Sequence, residues 1–137
     1  MASVATKQWD ELLEQARDAL SHAYPKHSNF RVGAAILLGD GRIVTGCNVE
    51  NDSYGLTICA ERNAMFSAVT QSKGKPEVIA VAIVTDPEVP GSPCGACRQV
   101  LMEFGADAVV SYYGKEGRRR VRLRQLLADP FILPAPH

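Results

Sequence analysis

An unbroken apolar run, VIAVAIVT at residues 78–85, constrains what this chain can fold into more than any other stretch. A strand that alternates apolar and polar residues buries one face, whereas a run without polar residues suits a strand covered on both. A sheet with a buried centre follows, and amphipathic helices must cover it. Residues 6–22 supply one, with Trp9, Leu12, Leu13, Ala16, Ala19 and Leu20 on one helical face and Asp10, Glu11, Glu14 and Arg17 largely elsewhere. At 137 residues and 46% hydrophobic content the chain can build such a core without cross-links, so one domain over residues 1–137 is expected.

The remaining elements fall around that strand. Apolar runs at 30–38 and 42–48 flank GDG, the signal of a tight hairpin, and predict antiparallel partners. A helix is predicted at about 58–71, another at about 94–104 after a loop holding Pro87, Pro90 and Pro93, then strands AVVSYY and RRVRL around the turn GKEG, and a short helix near LRQLLAD. The order is α-β-β-α-β-α-β-β-α, an α/β chain. The basic run RRRVRLR, residues 118–124, alternates with Val121 and Leu123 and reads as a sheet edge with a solvated face. Fifteen basic residues balance fifteen acidic ones, so no net field draws the protein to nucleic acid or to a membrane surface. The stretch MASVATKQWDELLEQ lacks an apolar signal core and no window is long enough to span a bilayer. A cytoplasmic location is expected.

Chemistry concentrates in two phrases, TICAERNAM at 57–65 and SPCGACRQVLMEF at 92–104. Each opens a helix after a strand and a loop, at the end of the helix that favours thiolate over thiol. In CGAC, Cys94 and Cys97 share one face of the first turn and can bind one ion. Cys59 adds a third thiolate if the two helix starts lie side by side, leaving the fourth tetrahedral position on zinc open, as in catalytic rather than structural sites. Glu61, two residues after Cys59, is too near to ligate the same side of the ion without strain, yet well placed to hold a water proton. Three other readings stay open on these residues. The C-x-x-C pair also suits a redox dithiol. Cys47 could close a four-cysteine structural cage, although a cysteine in a strand run is more often core. Glu61 could be an ordinary acid of a helix's first turn.

CAERNA and PCGACRQVLMEF, preceded by FRVGAAIL and GCNVEN, closely resemble the small homo-oligomeric cytidine deaminases, from Phe30 to about Leu127. The resemblance implies a three-layer α/β/α fold with a mixed five-stranded sheet. It also implies one zinc ion on Cys59, Cys94 and Cys97, with Glu61 as the proton carrier in hydrolytic deamination of cytidine and 2′-deoxycytidine to the uridine products and ammonia. Three thiolates leave the site net negative, so a nearby cation is expected to offset them. Arg62 and Arg98 are candidates, the resemblance favours Arg62, and Gln99 is a further candidate for supporting the sulfurs. For the nucleoside, the resemblance points to Phe30, Asn48, Glu50 and Ala60. Asn48 and Glu50 alternate at a strand end and can offer an amide and a carboxylate to a ribose hydroxyl. A carboxylate beside the sugar would repel a 5′-phosphate, so a free nucleoside is expected rather than a nucleotide or a polynucleotide. A deaminase of a cytosine-containing antibiotic of the blasticidin S type, which shares a similar PCGxCRQVL phrase, is the nearest alternative, and a non-catalytic zinc or redox module the more distant one.

The tail ADPFILPAPH leaves Phe131, Ile132 and Leu133 as an apolar cluster that either folds back on its own core or covers a neighbour. The resemblance implies a homotetramer whose active sites borrow residues from adjacent chains, with Phe131 as the candidate aromatic.

Overall fold

The computed structural model describes residues 3–135, so the tail's last two residues, Pro136 and His137, lie outside the described residues. Helix α1 (Thr6–Leu20) is followed by strands β1 (Arg31–Leu38) and β2 (Ile43–Cys47). A single 3₁₀ turn (Tyr54–Leu56) then precedes helix α2 (Ala60–Gln71), strand β3 (Val78–Asp86), helix α3 (Gly95–Phe104), strands β4 (Val109–Gly114) and β5 (Gly117–Arg122), and helix α4 (Leu123–Leu126). Helix α1 stops two residues short of the expected end, in a turn where Ser21 and His22 donate back to the Asp18 and Ala19 carbonyls. The 3₁₀ turn has no periodic apolar signal in the sequence.

The sheet has the order β2-β1-β3-β4-β5 and is mixed: β1 pairs antiparallel with β2 and β3, β3 and β4 run parallel, and β4 pairs antiparallel with β5. The β1–β2 hairpin closes at Gly39, Asp40 and Gly41. Gly41, at φ 91°, takes the left-handed conformation that a residue with a Cβ resists, and Asp40 accepts from the Arg42 backbone N–H at 3.1 Å. Strand β5 is the far edge, as its basic alternation predicts: Val121 is buried while Arg119, Arg120 and Arg122 are exposed.

Strand β3 divides its side chains between two cores. Val81 and Ile83 join Ile36, Met65, Leu101 and Val110 on the face covered by α2 and α3. Ala80, Ala82 and Val84 pack with Trp9, Leu12 and Ala16 of α1 on the other. Both faces are covered, and the three layers follow from that division.

The topology also places the site. Because β2 and β3 are each antiparallel to β1, they point the same way, and their carboxyl ends lie at one edge of the sheet. Each chain segment turns there into a helix on the same face, so α2 and α3 start close together.

Candidate active site

Cys59 is the N-cap of α2 and Cys94 the N-cap of α3, both with extended backbone, and neither side chain caps its own helix through a hydrogen bond. Their sulfurs therefore sit free, close to the unpaired N–H groups that favour negative charge. Cys97, within the first turn of α3, brings its sulfur to 3.5 Å from that of Cys94, and the Cys59 and Cys94 sulfurs are 3.8 Å apart. All three lie within 4.8 Å of one another. Sulfurs on a tetrahedral zinc at about 2.3 Å are separated by roughly 3.8 Å, so this triangle fits such an ion with little movement. Cys47 is not in it. Half-buried at the end of β2, it has its thiol pushed up by burial, and its carbonyl accepts from Asn63 Nδ2 at 2.9 Å.

Glu61 is 5% exposed. Burial raises its carboxyl to about 7, and the negative charge of Cys59 adds to the effect. The Cys59 thiol is lowered to about 5 by the hydrogen bond from Cys97, with further help from Arg62 and Cys94, while Cys97 is raised by the same contact. Arg62 Nη2 donates to Cys59 Sγ at 3.3 Å, and its buried Nε has no acceptor among the described residues. A cation therefore sits against the thiolates, with a donor to spare.

The other two candidates from CRQ do something else. Arg98 does not turn to the sulfurs: its Nε donates to the Pro93 carbonyl at 2.7 Å, Nη1 to the Leu126 carbonyl at 2.7 Å and Nη2 to Ser92 Oγ at 3.2 Å. It ties the loop before Cys94 to the end of α4. Gln99, expected to support the sulfurs, instead grips the tail, donating to the Phe131 carbonyl at 2.9 Å and accepting from the Phe131 N–H at 3.0 Å. The tail's backbone is thus held against α3, but its apolar side chains do not enter the core, since Phe131, Ile132 and Leu133 are 69%, 74% and 72% exposed.

The sugar candidates are tied through the backbone to the segment that carries Cys59. Val49 exchanges backbone hydrogen bonds with Ile58, the residue before Cys59, so Asn48 and Glu50 flank a residue paired directly to the metal loop. Asn48 is buried; its Oδ1 accepts from the Val32 N–H and its Nδ2 donates to the Phe30 carbonyl, each at 2.8 Å. That amide fixes the entry into β1 and with it the half-buried Phe30. Glu50 accepts from the His27 and Ser28 N–H groups at 2.7 and 3.0 Å and from the Ser28 hydroxyl. Ala60, between Cys59 and Glu61, is fully buried.

Two supports are absent from the sequence reading. Gly46 lies under the start of α2: a Cβ there would sit 2.6 Å from the Ala60 carbonyl oxygen and would also collide with the Ala64 backbone. Ser28 joins Glu50 to the Phe30 N–H, which it accepts at 3.0 Å. The glycine beside the cysteine in TGC and the serine in HSNF were the available signals.

Residues 6–113 match the family model of the cytidine and deoxycytidylate deaminase zinc-binding region. The chain is 51% identical over 122 residues to a cytidine deaminase of Halalkalibacterium halodurans, covering 88% of this chain and 91% of that one. It is 44% identical over 125 residues to a cytidine deaminase of Mycobacterium tuberculosis, covering 91% and 90%. The crystal structure of a cytidine deaminase from Burkholderia pseudomallei superposes with a TM-score of 0.81 at 44% identity, covering 89% of this chain and 98% of that one.

Proposed function

This chain belongs to the zinc-binding cytidine and deoxycytidylate deaminase family, and we propose that it is a cytidine deaminase, hydrolysing the 4-amino group of cytidine and 2′-deoxycytidine to give the uridine products and ammonia. The observation that carries the reading is the buried Glu61 carboxylate fixed two residues from Cys59 in a triangle of three sulfurs. A structural zinc cage or a redox dithiol has no need of a buried acid in that place.

Cys59, Cys94 and Cys97 would hold the ion. Zinc, when bound there, supplies a Lewis acid that lowers the pKa of water toward neutrality. Glu61 takes a proton from the attacking water and delivers it to N3 of the cytosine ring, making C4 electrophilic. The hydroxyl left by that first proton transfer bonds to C4, and as the C4–N bond breaks Glu61 carries the remaining hydroxyl proton to the departing amino group, leaving a C4 carbonyl and ammonia, so one carboxylate serves first as base and then as acid. Its burial raises its pKa to about 7, which suits a group that must both take and return a proton near neutral pH. Arg62 offsets the charge of three thiolates through its contact with Cys59. Phe30 packs against the nucleoside, the Ala60 segment lies between the metal loop and Glu61, and Asn48 and Glu50 read the sugar. The Glu50 carboxylate opposes a 5′-phosphate and favours the free nucleoside.

Four chains assemble around shared sites, with Phe131 reaching a neighbouring nucleoside. The exposed Phe131, Ile132 and Leu133 support this reading, together with the grip of Gln99 that projects them from the parent chain. Such an enzyme serves pyrimidine salvage in the cytoplasm; among the described residues no helix is long and apolar enough to cross a membrane. Ultraviolet assay with a nucleoside panel, alongside a zinc count, tests the reading. Loss of the cytidine band with one zinc per chain is expected. Inert cytidine beside a turned-over cytosine antibiotic would reassign the substrate, and inactivity on every nucleoside by the zinc-loaded protein would refute deamination.

A further inference from the structure

We propose that Ser28 is a positioning residue for sugar recognition, its hydroxyl holding the Glu50 carboxylate and the Phe30 backbone in a single hydrogen-bond chain. The inference rests on the reading of Glu50 as a sugar ligand. Its basis is the turn at residues 25–30. Asn29 has φ 56°, the left-handed conformation that asparagine tolerates better than most residues with a side chain. Its N–H is tied back to the Pro25 carbonyl at 2.9 Å. This turn aims the His27 and Ser28 N–H groups at one oxygen of Glu50 and the Ser28 hydroxyl at the other.

The Ser28 oxygen has a second duty, accepting from the Phe30 N–H at 3.0 Å. The carbonyl of the same Phe30 accepts from Asn48 Nδ2 at 2.8 Å. The three sugar candidates, Phe30, Asn48 and Glu50, therefore form one circuit, and Ser28 is the link between its acid and its aromatic. A carboxylate has about four acceptor sites. Three are filled by residues 27 and 28, which leaves capacity for one donated hydroxyl in a fixed place. The same bonds, that from the Ser28 hydroxyl first, hold Glu50 below the usual carboxylate range, so it stays an acceptor. Removing the hydroxyl takes away one side of the grip on the carboxylate and frees the Phe30 N–H.

The test uses the zinc-loaded enzyme, steady-state kinetics, and two substrates that differ only in the sugar: cytidine, and 2′,3′-dideoxycytidine, which has neither secondary hydroxyl. For Ser28→Ala the KM for cytidine is expected to rise about 10-fold, the scale of losing one charge-assisted hydrogen bond. The kcat should stay within about 2-fold and the zinc content should not change, because the link lies outside the metal loop. With dideoxycytidine the variant and the native enzyme should share one KM. Ser28→Thr, which keeps the hydroxyl, should restore the cytidine KM. Equal losses on both substrates, or an unchanged KM for cytidine, would overturn the proposal. Glu50→Gln run in parallel separates the two levels: if it shows no loss confined to cytidine, the reading of Glu50 as a sugar ligand fails. If it shows that loss and Ser28→Ala does not, the role of Ser28 alone fails.

Discussion

Gly46→Ala should damage the enzyme through the placement of α2 rather than through any lost chemical group. The added Cβ would lie 2.4 Å from the Ala64 backbone nitrogen, 2.6 Å from the Ala60 carbonyl oxygen and 2.9 Å from the Ala64 Cα, whereas ordinary contact begins near 3.4 Å. Helix α2 must retreat by about 1.0 Å to relieve the closest of these contacts, and the neighbours are backbone atoms that cannot swing aside. Overpacking of this kind costs about 1–3 kcal/mol. For a chain of this length that is a fall in Tm of roughly 3–10 °C. The clash falls on Ala60 and Ala64, and Ala60 is flanked by Cys59 and Glu61, so the proposed ligand and the proposed proton carrier are expected to move with the helix. Misplacement by ~1 Å costs about 100-fold in rate, and that is the expected loss in kcat/KM for cytidine. Thermal unfolding, zinc content and steady-state kinetics on the same preparation measure all three. Gly55→Ala, where an added methyl meets nothing within 4 Å, is the control and should be neutral. A Gly46→Ala enzyme with Tm within about 1 °C and kcat/KM within about 2-fold of native would refute the close approach of α2 to β2 as the basis of the site.

Glu61→Gln should keep the fold and one zinc per chain while kcat/KM falls by about three orders of magnitude or more, since base and proton carrier vanish together; near-native turnover would sink that assignment. Cys59→Ala, Cys94→Ala and Cys97→Ala should each lose zinc by metal analysis, and Cys47→Ala should retain it; zinc loss in the last would revive the four-cysteine cage. Deleting residues after Asp129 removes the partner of Gln99 and the exposed trio, and should raise the KM for cytidine or loosen the assembly with zinc intact. Light scattering should give about four times the 14.8 kDa chain, and a fully active monomer would remove the shared-site proposal.

How far the sequence could be read is clearest at residues whose roles it left open. The element order was legible from the period of α1, the GDG hairpin turn and the proline-bearing loop before α3, and VIAVAIVT, with no polar residue until its end, divides between two cores as a doubly covered strand must. The three cysteines and Glu61 were legible as types in a spacing, but their meeting depends on sheet order. With β1 inserted between β2 and β3, the two strands point the same way and their helices start at one edge. Arg62 and Arg98 looked alike in the sequence, each next to a site residue. Helical spacing does not separate them, since Arg62 is three residues beyond Cys59 and Arg98 four beyond Cys94; their partners do, with Arg62 donating to the Cys59 sulfur and Arg98 held by the Pro93 and Leu126 carbonyls. Gln99 meets the tail. Polar partners 22 and 32 residues apart leave no periodic trace in a chain, which is why the Ser28–Glu50 and Gln99–Phe131 contacts were not legible. Both contacts hold a loop or tail beside the chemistry through local polar bonds rather than through the core. Such contacts should therefore tune KM and assembly while leaving zinc and the fold in place.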